Sequence, residues 1–120
     1  MAKTIVVVED LIFLSKIQQT AKLVNAEIET ARLDDLPASL SQAPARAIIL
    51  DLNHRSGRAV EALRTLKSDP STKNIPVIGF VSHVQDGVVR AAREAGCDTV
   101  MARSAFVQKL PELLQKHNRQ

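Results

Sequence analysis

The chain has no tryptophan and no tyrosine, and its whole aromatic content is Phe13, Phe80 and Phe106. Its core must therefore rest on Val, Ile, Leu and Ala, with little left to stack on a flavin ring or on nucleic-acid bases. Cysteine is scarcer still. Cys97 stands alone, which excludes an internal disulfide and leaves no neighbour for a metal or redox motif. Beside Gly96 it reads as a small buried or half-buried hydrophobe. Long apolar runs are missing too: Ile5 to Val8 is far shorter than a membrane span, and no signal-peptide core follows Lys3. No membrane insertion and a cytoplasmic location are expected. The basic residues form no tract, with 16 Lys and Arg against 13 Asp and Glu and a net charge of +3. That is a weak basis for a nucleic-acid partner.

What remains is ordinary globular composition, 45% hydrophobic and 24% charged, which argues against extended disorder. A length of 120 residues suits one domain, spanning 1–120, around one sheet.

Thr4 to Val8 is a continuous β-branched run, the pattern of a strand buried on both faces. Leu14, Ile17, Ala21 and Val24 then recur at helical spacing over residues 11–24. Ala26 to Ala31 alternates as a shorter strand, and Asp34 to Ala43 is a loop with a short helix. Ala45 to Leu50 repeats the buried-strand signal and runs into Asp51, and Val60, Leu63 and Leu66 mark a helix stopped by Asp69-Pro70. Ile75 to Val81 is a strand entered through Pro76, and Val84 to Ala95 a helix stopped by Gly96. Thr99 to Ala102 is the last strand. Phe106, Leu110, Leu113 and Leu114 pattern the final helix, which Pro111 should kink or restart. Five strand–helix pairs without hairpin signals predict an α/β fold: an open five-stranded parallel sheet with helices on both faces.

Ligands of such sheets bind at the carboxyl ends of the strands, where strand order reverses. Glu9, Asp10 and Asp51 fall there. Three carboxylates in one small volume repel unless neutralised, and a hard divalent cation suits them, since Mg2+ takes one or two carboxylates plus waters. The plainer alternative is that Glu9 and Asp10 cap the first helix.

Together the Glu9-Asp10 pair, Asp51, the Arg64-Thr65-Leu66-Lys67-Ser68-Asp69-Pro70 helix end leading to Ile75-Pro76-Val77-Ile78, and the Ala91-Ala92-Arg93-Glu94-Ala95-Gly96-Cys97-Asp98 turn resemble the response regulator receiver domain of bacterial two-component systems, chemotaxis regulators included. The resemblance covers almost the full length. It implies a flavodoxin-like (βα)5 fold and a stand-alone phosphorelay module rather than an enzyme, with at most self-phosphorylation and dephosphorylation. Asp51 would be the phosphoacceptor. Asp10, Asp51 and the main-chain carbonyl of Asn53 would ligate Mg2+, and Glu9 would hold metal-bound water. A sensor histidine kinase or phosphotransfer protein would be the donor. A partner or a second copy would meet the face of the fourth helix, fifth strand and fifth helix, near Val88, Val89, Ala92, Val107 and Leu110, although helical spacing assigns most of these to the core.

The chain departs from that family at its switch. Val81 stands where a hydroxyl would bind the phosphoryl group, and Ser82 substitutes only if the strand end bulges or twists. Arg103 replaces the usual Lys as the cationic phosphate contact, and Ser104 replaces the Pro that follows it, leaving a cis peptide in question. Val100 replaces the aromatic. In the loop after Asp51, Arg55 could pair with Asp51 or Glu9 as a built-in charge mimic or simply face solvent, and His54 could be a relay, a ligand or an exposed residue. A phosphorylation-independent pseudo-receiver is therefore the main alternative. A flavodoxin-like cofactor module fits less well: for flavin the first turn is Glu9-Asp10-Leu11 rather than a phosphate-binding turn, and for cobalamin the Asp51-to-His54 spacing is one residue too long and follows the wrong strand. A DNA-binding domain rests on charge alone.

Overall fold

The β-branched runs form the centre of the fold, as strands buried on both faces should. A computed structural model describes residues 3–42, 45–53, 57–82 and 86–118. Elements alternate as β1 (Lys3–Val7), α1 (Leu11–Leu23), β2 (Ile28–Thr30), α2 (Leu36–Gln42), β3 (Ala45–Asp51), α3 (Ala59–Ser68), β4 (Val77–Val81), α4 (Asp86–Glu94), β5 (Thr99–Ala102) and α5 (Arg103–Asn118), with a 3-10 turn at Leu33–Asp35 before α2. All strand pairs are parallel, in the order β2-β1-β3-β4-β5, so strand order reverses between β1 and β3.

Alternation sorts the strand side chains into two layers. Ile5, Val7, Ile48, Leu50, Val77 and Val81 pack under Leu36 of α2, Leu63 and Leu66 of α3 and Ala92 of α4. Val6, Val8, Ile49, Ile78 and Phe80 pack under Phe13, Ile17 and Ala21 of α1 and Phe106, Leu110 and Leu114 of α5. Gly79 is required by the first layer: a Cβ there would lie 2.7 Å from Leu52 Cδ1 and 3.1 Å from Cys97 Sγ. Cys97 is half-buried as expected, and burial pushes its thiol up, away from the reactive thiolate.

Two expectations need correction. The helix does not restart at Pro111: α5 is continuous from Arg103 to Asn118. Leu110 and Leu114, each 1% exposed, flank the proline and hold the helix on the sheet despite the lost bond. β4 begins at Val77 rather than Ile75, although the Pro76 carbonyl still accepts from the Ile48 amide at 2.9 Å. Gly96 ends α4 with a φ of 99°, the left-handed conformation expected of a C′ glycine. Among the described residues no helix is long and apolar enough to cross a membrane.

Candidate functional site

Asp10 leaves β1 in an extended conformation and opens α1 as its N-cap. Its Oδ1 accepts from the amides of Ile12 (3.0 Å) and Phe13 (3.1 Å), satisfying two donors at the helix start. Its Oδ2 accepts from Arg103 Nη2 at 3.0 Å, in a pair whose side chains are 34% (Arg103) and 46% (Asp10) exposed. The Phe13 amide bond first, then Arg103, holds the Asp10 carboxyl below the usual carboxylate range.

Arg103 is placed by the direct passage of β5 into α5, with no intervening loop. Its guanidinium carbon lies 3.8 Å from the centroid of the Phe13 ring. Beneath it all three phenylalanines meet: Phe13 is 5.0 Å from Phe80 and 5.8 Å from Phe106, and Phe80 stacks on Phe106 at 4.9 Å. The Arg103–Ser104 peptide is not cis.

Asp51 ends β3 opposite Phe80, and its Oδ1 accepts from the Asn53 amide at 2.9 Å. Asn53 Oδ1 accepts from the Ser82 amide at 2.6 Å, so the Asn53 side chain fastens the end of β3 to the end of β4. Ser82 is thus brought beside the Asp51 turn through its backbone. No register shift interrupts β4 at Val81, which is 3% exposed and buried against the aliphatic layer. Val100 is half-buried against the same layer.

Glu9 and Asp10 follow β1 and Asp51 ends β3, and these two strands are neighbours in the sheet. Among the described residues no group of three or more His, Cys, Asp or Glu side chains is arranged to hold a metal ion. At Asp10, helix capping and Arg103 engage both oxygens. Glu9 is exposed next to it. The donor chemistry remains that of a hard cation, with carboxylate and carbonyl oxygens and no sulfur. Arg55 and His54 lie outside the described residues.

On the expected partner face, Ala92 and Leu110 are fully buried, while Val88, Val89 and Val107 are half-buried. Among the described residues the exposed large apolar side chains are elsewhere, at Leu11 (77%), Ile12 (86%) and Leu23 (85%). Leu11 and Ile12 sit on the first turn of α1, beside Asp10. Sequence spacing missed them because the core side of α1 runs Phe13, Ile17, Ala21, an i, i+4 ladder that leaves both outside.

No protein-family model matches the chain, and no curated protein does. Solved structures match over nearly the whole length. The phosphorylated cyanobacterial phytochrome response regulator RcpA is 25% identical, with 97% of this chain and 91% of that one covered at a TM-score of 0.78. The chemotaxis response regulator CheY4 of Vibrio cholerae is 19% identical, with 98% of each chain covered at 0.81. The Mn2+-bound form of response regulator Rcp1 is 24% identical, covering 95% and 90% at 0.74. The β2-β1-β3-β4-β5 sheet with acidic residues at its reversal point, and these likenesses, lead to one identification: the chain has the fold of a response regulator receiver domain.

Proposed function

We propose that the chain is a receiver module of two-component or phosphorelay signalling, accepting a phosphoryl group on Asp51 and acting by binding another protein in the cytoplasm. Support comes chiefly from the position of Asp51, a carboxylate at the carboxyl end of β3 beside the point where strand order reverses, with Oδ1 fixed by the Asn53 amide. The donor would be a sensor histidine kinase or phosphotransfer protein. An Asp51 oxygen attacks the phosphorus of a phosphoimidazole, the O–P bond forms as the N–P bond breaks, and the imidazole nitrogen leaves with the electron pair and takes a proton from water.

Asp10, Asp51 and the Asn53 carbonyl, with Glu9 through water, would hold Mg2+. When bound, the ion screens carboxylate from phosphoryl oxygens. The chain's own contribution is positioning: Asn53 ties the Asp51 turn to Ser82, and Arg103 supplies positive charge at the rim of the site. Val81 offers no hydroxyl to the phosphoryl group and Val100 no swinging ring, so the response would differ from a hydroxyl-to-aromatic relay.

The test is intact mass after incubation with a small phosphodonor and Mg2+. Wild type should gain one phosphoryl group and Asp51→Ala none; no gain in wild type would reject phosphotransfer. A phosphorylation-independent interaction module is the second reading, favoured by the Arg103–Asp10 pair, which neutralises an acidic residue without phosphate or metal. A colourless protein would dispose of the flavin and cobalamin alternatives.

A further inference from the structure

Both oxygens of Asp10 are engaged inside the chain, Oδ1 by the Ile12 and Phe13 amides and Oδ2 by Arg103. The guanidinium is held a second time from below by the face of Phe13, which is 5% exposed and braced by Phe80 and Phe106. A guanidinium suits such a seat: it is always charged, weakly hydrated, and planar enough to bond a carboxylate while covering a ring. From this double seat we infer that Arg103 is a resident cation at Asp10, and that it weakens the hold of the acidic corner on a divalent ion. A divalent ion competes with the guanidinium for Asp10 Oδ2, so Asp10 stays paired without metal and the corner takes metal weakly. Water reaches both partners, which leaves the seat exchangeable.

The inference rests on the proposed function only in giving a divalent ion a role at Asp10. An exposed ion pair together with a cation–ring contact is worth about three- to thirtyfold in an equilibrium constant. The probe is Mn2+ alone, titrated into the full chain while free ion is followed by electron paramagnetic resonance. Arg103→Gln should bind Mn2+ about three- to thirtyfold more tightly than wild type, and adding Asp10→Asn should remove the gain. Equal affinities, no binding by either protein, or a gain that survives Asp10→Asn would overturn the inference. Should Arg103→Gln fail to fold, Phe13→Leu, which removes the ring beneath the guanidinium while keeping an apolar side chain in the core, carries the same expectation at smaller size. No phosphoryl transfer enters the readout. Loss of Asp51 phosphorylation with tighter Mn2+ binding by Arg103→Gln would reject the functional reading alone, and the reverse pattern would reject this one alone.

Discussion

An aspartate meets a long cationic side chain at each end of the sheet, and the two pairs are built differently. At the amino ends of the strands, Lys67 Nζ donates to Asp98 Oδ2 (2.8 Å), the Ile75 carbonyl (2.9 Å) and the Lys73 carbonyl (3.1 Å), while Asp98 Oδ2 also accepts from the Val77 amide at 2.7 Å. The Lys67 side chain is 14% exposed and its stem runs past Gly96, where a Cβ would lie 3.1 Å from Lys67 Cγ. At the carboxyl ends, Arg103 has one carboxylate and one ring, and water on its open side. All three donors of the lysine head thus have acceptors, and breaking that pair would leave the part-buried Ile75 carbonyl without this donor. Breaking the Arg103 pair strands nothing that water cannot reach. One ties α3 to the segment before β4 and to the α4–β5 turn through several bonds; the other rests on a single carboxylate and a ring.

The largest effect should come from the floor under the exchangeable pair. Phe106→Ala removes a fully buried ring stacked on Phe80 and should cost about 3–5 kcal/mol by urea unfolding. Second is Lys67→Met, which keeps the apolar stem but loses three charge-assisted bonds. It should cost about 1.5–3 kcal/mol, and a loss within experimental error would erase the contrast drawn above. Smallest is Asp10→Ala, whose effect should depend on pH. Because the folded-state pKa of Asp10 is depressed, its stabilisation is present above the unfolded carboxylate value and is lost as pH falls through the folded one. Unfolding midpoints followed from about pH 5 to about pH 2 should therefore converge for wild type and Asp10→Ala at the acid end. A constant gap would show that titration of Asp10 contributes nothing.

The strands were legible because β-branched runs such as Thr4 to Val8 have few other solutions, and Gly96 because a C′ residue with positive φ favours glycine. Two of the motifs that carried the family resemblance, the helix end with Lys67 and the turn with Asp98, look independent in the sequence. In space they are the two halves of one contact. The site was less legible. A carboxylate after a strand can cap a helix or bind metal, and local sequence does not say which, since the deciding partner, Arg103, lies 93 residues away. Pro111 misled for a related reason, because the burial of Leu110 and Leu114 outweighs one lost backbone bond.

The meeting of every aromatic ring beneath Arg103 has an optical consequence. With no indole or phenol in the chain, its near-ultraviolet circular dichroism arises from Phe13, Phe80 and Phe106, packed as a single asymmetric group. Movement of the guanidinium off Phe13 would therefore be visible in the unlabelled protein as a change in phenylalanine fine structure, a spectroscopic window onto the acidic corner.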